Sequence, residues 1–148
     1  MAKPDKRDEI VRAALEMIAE QGFHGSPMAE LAKRAGVGAG TIYRYFANKD
    51  ELIAELYREL EERIHPALLN EYRVDRPERE RFLQLGSALL KYFIEHPLDF
   101  RYLEQFHNSP YGIECRRAKL LGQVGKGDAY RELFVEGMVG GANCGWFG

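Results

Sequence analysis

Apolar residues recur at helical spacing along most of the chain, and glycine, proline and polar clusters interrupt the runs. From Asp5 to Gln21, the residues Ile10, Ala14, Met17 and Ile18 form one stripe, widened by Val11 and Leu15. Gly22 ends that run, Phe23 is placed to plug a seam below the next two helices, and His24 reads as a surface loop residue. Pro27 to Ala35 puts Met28, Leu31, Ala32 and Ala35 on one face. Ser26 reads as its capping hydroxyl, with Pro27 in the first turn, where a missing N–H is harmless. Gly36-Val37-Gly38 stops this helix, and Gly38 caps the next, Ala39 to Phe46, with Ile42 and Phe46 on its inner face. Asn48 and Glu51 have the spacing of a capping box.

A longer helix runs from Lys49 to Ile64, built on Leu52, Ile53, Leu56, Leu60 and Ile64, with Glu55, Glu59, Glu61 and Glu62 towards water. His65-Pro66 is expected to end or kink it. It joins the two halves of the chain, so a shift at its far end would tilt the first half. Asn70 to Arg79 is a polar break. Pro77 opens a helix to about Glu95 whose apolar face is Phe82, Leu85, Leu89, Tyr92 and Phe93. Pro97 to Gln105 carries Phe100, Leu103 and Phe106 with Tyr102 beside them. Asn108 to Gly112 reads as a loop, Ile113 to Leu121 as a short helix, and Gly122 to Gly127 as a connector. Asp128 caps a helix with Tyr130, Leu133 and Phe134. The last residues, with Gly137, Gly140, Gly141, Gly145 and Gly148 around Cys144, Trp146 and Phe147, are poor helix sequence.

Helix, glycine turn, helix over Pro27 to Phe46 is the arrangement whose second helix enters the DNA major groove, although any two adjacent amphipathic helices satisfy that pattern. Composition sets limits on it. The chain has 45% apolar and 30% charged residues, as a globular domain does, and no apolar run long enough to span a bilayer. The polar N-terminus MAKPDKRDE carries no hydrophobic signal segment. Cys115 and Cys144 make neither a disulfide framework nor a metal-ligand spacing, which points to a reducing, cytoplasmic setting. A net charge of −2 excludes diffuse electrostatic attraction as the whole basis of DNA binding. Lys33, Arg34, Arg44 and Lys49 nevertheless gather around the two helices, where Lys33 and Arg34 could equally be no more than a solvated face. Asp5, Asp8, Asp50 and Glu51 sit in first turns, where they answer the helix dipole. No Ser/His/Asp, Cys/His or HExxH arrangement occurs, so no catalytic residue, metal or cofactor is expected. GQVGKGD lacks the spacing and strand context of a phosphate loop.

The run AGVGAGTIYRYFANKDEL resembles the signature of the TetR/AcrR family at Ala35, Gly36, Val37, Gly40, Thr41, Ile42, Tyr43, Tyr45, Phe46, Lys49 and Leu52. The resemblance extends upstream through Ile10, Ala13, Ala14, Gly22, Phe23, Leu31 and Ala32, and covers roughly the first third of the chain. Gly38 departs from the Ser usual there. The resemblance implies an all-α fold. A three-helix helix-turn-helix DNA-binding domain, residues 1–48, would precede an antiparallel helical ligand-binding and dimerisation domain, residues 49–148, incomplete at its C-terminus. It implies a repressor that binds a palindromic double-stranded DNA operator as a homodimer and is released by a small-molecule inducer, with no membrane partner.

Carried residue by residue, Gly40 N–H and Thr41 would meet phosphate or base edges, Tyr43 and Tyr45 would bond phosphates, and Lys49 would contact a phosphate. Arg44 could read guanine or contact phosphate, and Ala39 could touch a thymine methyl. Aromatics crowd the second half, as bundle core or as a ligand pocket. LDFRYLEQFHNSPYG resembles a segment of a multidrug-regulator-like branch, which suggests a lipophilic or aromatic ligand at Tyr92, Phe93, Phe100, Leu103, Phe106 and Tyr130. Glu104 or Asp99 could recognise a cation, or simply face water. Two rival readings are a helix-turn-helix protein without small-ligand control, architectural or protein-recruiting, and a weak monomer with little operator affinity.

Overall fold

The computed structural model describes residues 5–70 and 72–120. The expected helix with Tyr130, Leu133 and Phe134, the glycine-rich end and Cys144 lie outside the described residues. Seven helices make up the described part: α1 (Lys6–Gln21), α2 (Met28–Arg34), α3 (Ala39–Tyr45), α4 (Lys49–Leu69), α5 (Glu78–Glu95), α6 (Pro97–His107) and α7 (Pro110–Leu120). Among the described residues there is no strand, and no helix is long and apolar enough to cross a membrane.

One core runs through the described chain. Ile10, Ala14, Met17 and Ile18 of α1 meet Leu31 of α2, Ile42 of α3, Phe46 just after α3, and Leu52, Ile53, Leu56 and Leu60 of α4, and every one of these is buried. Tyr102 and Phe106 of α6 enter the same core. The main neighbour of α1 is α6, so the N-terminal helices are seated directly on the second half of the chain.

Helix ends obey local chemistry in most places. Asp5 caps α1 by accepting from Arg7 N–H, and Gly22 closes it in a conformation with φ 72° that suits glycine. Ser26, however, caps nothing: its hydroxyl donates to the Gly22 carbonyl at 2.7 Å, and Pro27 occupies the N-cap position of α2. The serine–proline start occurs instead at Ser109-Pro110, within the expected Asn108 to Gly112 loop. Ser109 Oγ accepts from Gly112 N–H at 3.4 Å and donates to Phe106 O at 2.6 Å, so α7 begins at Pro110. Pro66 does not end α4. The helix runs on to Leu69, held by the burial of Ile64 and Leu68, with Asn70 N–H bonded to Pro66 O.

Two apolar faces differ from the expected ones. In α5, Leu85, Leu89, Phe93 and buried Tyr92 pack inward, but Phe82 is 75% exposed. Its neighbourhood is the α4–α5 connection, where Arg81 meets Tyr72 and Gln84 meets Arg73. In α6 the buried residues are Asp99, Tyr102 and Phe106, while Phe100 is half exposed. The face is turned because the polar tips have partners on α4 and α5. Tyr102 OH donates to Ile53 O of α4 at 2.7 Å, and Asp99 accepts from Tyr92 OH at 2.6 Å and Arg63 at 3.3 Å.

The α6–α7 corner closes at Gly112, where a methyl group would collide with Phe106 O and His107 Cα. Gly112→Ala should therefore cost about 1–3 kcal/mol by overpacking, read as a lower urea midpoint. The phenols of Tyr57, Tyr92 and Tyr102 are all pushed up from the ordinary value of 10.0, first by burial, with Glu61 adding at Tyr57 and Asp99 at Tyr92. A raised folded-state pKa contributes stability that is complete below the unfolded value and is lost as pH climbs beyond it. Helical circular dichroism should therefore hold up to about pH 10 and fall above it, and Tyr102→Phe should shift that fall to higher pH.

Candidate nucleic-acid interface and sensor region

The turn between α2 and α3 is set by hydrogen bonds that only one glycine conformation permits. Gly36 has φ 65°, Val37 N–H bonds to Ala32 O, and Gly36 N–H bonds to Lys33 O, which together form a Schellman closure. Gly38, extended at ψ 149°, then starts α3, and no side chain caps it. Ile42 and Phe46 are the anchors of α3, at 0% and 1% exposure. Their burial turns Ala39, Gly40, Tyr43, Arg44 and Tyr45 to solvent, with Thr41 half-buried. Tyr43 and Tyr45 are 55% and 39% exposed, so neither ring is core.

The structure thus brings six of the seven expected DNA-facing residues to one short helix. Lys49 differs. It opens α4, it is half-buried, and its ammonium donates to the Phe23 carbonyl. Burial lowers its pKa, against an opposing effect of Asp50. The other expected cations divide. Lys33 is exposed, whereas Arg34 is paired with Glu20 at 2.8 Å.

α3 joins α4 through the expected capping box, with one difference. Asn48 Oδ1 accepts from Glu51 N–H at 2.9 Å, and Glu51 Oε2 accepts from Ala47 N–H at 2.7 Å rather than from Asn48 itself. Arg7 of α1 braces the same junction. Its guanidinium lies over the Phe46 ring at 5.7 Å and pairs with Glu59 at 2.6 Å and Glu55 at 3.5 Å. Sequence reasoning missed this brace, and the only signal was an arginine one residue into α1.

The expected sensor residues are not brought together as one set. Tyr92, Phe93 and Phe100 form an edge-to-face series with centroids 6.0 and 5.2 Å apart. Phe106 belongs to the core instead, stacked on Tyr57 at 4.1 Å and close to Tyr102 and Phe23, and Leu103 is half-buried beside that core. Tyr130 lies outside the described residues. Two clefts flank this region. One, of about 480 Å³, lies between the end of α4 and α5 and is lined by Leu83, Ser87, Ala88 and Tyr92 among others. The other, of about 520 Å³, lies between α1, α4 and the α5–α6 joint, with Val11, Leu15, Arg63 and Leu98. Of the described members of the expected set, Tyr92 alone lines either. Asp99, considered as a cation partner, is buried and already bonded to Tyr92 and Arg63. Among the described residues no group of His, Cys, Asp and Glu is arranged to hold a metal ion.

A closed glycine turn with an anchored second helix turned to solvent defines a helix-turn-helix protein. Residues 10–56 match the family of bacterial regulatory proteins described as the tetR family. A TetR family protein of Vibrio parahaemolyticus superposes with a TM-score of 0.51 at 35% identity, over 69% of each chain. The chain belongs to the TetR family of transcriptional regulators. The fatty acid degradation regulator FadR of Bacillus halodurans superposes with a TM-score of 0.71 at 26% identity, over 100% of this chain and 74% of that one. A fatty acid metabolism regulator protein of Bacillus subtilis is 47% identical over 57 residues, 38% of this chain and 29% of that protein. The chain spans 29 to 58% of the length of the first curated relatives it matches.

The α3–α4 junction depends on its cap. Asn48→Ala should cost about 0.5–2 kcal/mol of stability, measured by thermal melting of the full chain.

Proposed function

We propose that the chain regulates transcription as a repressor, in the cytoplasm, binding a palindromic operator as a dimer and leaving it when a small lipophilic or aromatic ligand binds. Residues 1–48 would read DNA, and residues 49–148 would carry the ligand and subunit contacts. The observation that carries this reading is α3, where Ile42 and Phe46 are sunk in the core and Ala39, Gly40, Tyr43, Arg44 and Tyr45 are left facing outward. A helix so presented fits the major groove, and two copies would read half-sites about 34–36 Å apart.

Within α3, Arg44 has the reach and the fork geometry to pair with guanine O6 and N7. Tyr43 and Tyr45 offer hydroxyls to flanking phosphates. The lipophilic character of the ligand is supported by the Tyr92, Phe93 and Phe100 series beside the α4–α5 cleft. It is also supported by two similar proteins named for fatty acid metabolism and fatty acid degradation.

Operator fragments selected from genomic DNA should bind with an affinity that falls as an aromatic or long-chain acid is titrated in. No response to any such ligand would favour the reading without small-ligand control. Arg44→Ala should weaken the selected operator by about 1–3 kcal/mol and relax preference at one base pair, measured by fluorescence anisotropy against single-base variants.

A further inference from the structure

The first turn of α4 is held from two sides, and both holds come from outside the helix-turn-helix. On one side the Lys49 ammonium is turned inward and donates to the Phe23 carbonyl. On the other, Asp50 Oδ1 accepts from Tyr111 OH of α7 at 2.7 Å, across 61 positions of sequence. Phe23 is itself gripped by the second half of the chain. Its ring meets Tyr102 at 5.9 Å, Phe106 at 6.5 Å and Tyr111 at 5.5 Å. The neighbouring Gly22 leaves only the room that Gln105 of α6 allows. The α6–α7 corner therefore holds the acceptor of Lys49 through Phe23 and the residue after Lys49 through Tyr111.

We propose that Tyr111 is a positioning residue for DNA binding: through Asp50 and Phe23 it fixes the first turn of α4 so that Lys49 is withheld from the DNA backbone. This rests on the DNA-reading function proposed above. An ammonium bonded to a backbone carbonyl and half-buried has given up part of its hydration, and that donor is engaged within the protein. Movement of the α6–α7 corner would free it. The second half of the chain thus acts on the near end of α4, beside the reader, and not only through leverage at the far end.

The test uses the full chain and a random-sequence DNA duplex, with affinity measured by anisotropy across salt concentration. Binding by the unaltered protein tests the DNA-reading function itself, and its failure would remove both readings. Tyr111→Phe keeps the ring against Phe23 and deletes the bond to Asp50. It should tighten duplex binding and steepen the log–log salt dependence by about 0.9, the signature of one added phosphate contact. In a Lys49→Met background the same substitution should change neither quantity. Asp50→Ala cuts the bond from the other side and should reproduce the Lys49-dependent part of the change. An unchanged salt slope for Tyr111→Phe, while the unaltered protein binds, would overturn the positioning role alone. So would a shift that persists after Lys49→Met.

Discussion

A helix of seven residues cannot stand on its own hydrogen bonds, because the first turn is unfavourable and too few later bonds repay it. α3 is such a helix, and it exists because Ile42 and Phe46 are driven into a core that α1 and α4 build. Arg7 adds a cationic face over Phe46 and two carboxylates of α4 to the same spot. Everything the surface of this region can do depends on that anchoring. Burying two side chains fixes the helix rotation, and the rotation decides which groups meet solvent.

The same core extends into the second half, where α1 lies on α6. The division proposed between residues 48 and 49 therefore does not correspond to a break in packing. Tyr102 reaches from α6 to the Ile53 carbonyl in α4, and Asp99 ties Tyr92 of α5 to Arg63 of α4. The two tyrosine bonds are buried and directional and the Arg63 contact is half-exposed, so a shift of α6 against α4 and α5 would have to break or replace them.

The features that could be read from the sequence were local ones. Gly22, Gly36, Gly38 and Asn48 announced helix ends because a cap is made by residues a few positions apart. The outward set on α3 could be read because its motif fixes which residues are core. The features that could not be read depended on distant partners. Ser26 and Ser109 have the same proline after them, yet only Ser109 stands directly before its helix and accepts from an N–H of its first turn, because at α2 the N-cap position falls one residue later, on Pro27. Asp99 and Tyr102 look like the edge of a stripe until their partners on α4 and α5 are known, and Phe100 looks like its centre. Pro66 looks like a stop until Ile64 and Leu68 are seen to be buried on either side of it. Lys49 matched a contact position by its letter, while its ammonium found a carbonyl 26 residues away.

The division of labour within α3 also bears on how such a protein changes over time. The positions that hold the helix, Ile42 and Phe46, are not the positions that face outward, Ala39, Tyr43, Arg44 and Tyr45. Substitutions at the outward set touch little of the core, so they are nearly neutral for folding. If the outward set reads DNA as proposed, a lineage can therefore drift to a new recognition sequence by single replacements without passing through an unfolded intermediate genotype.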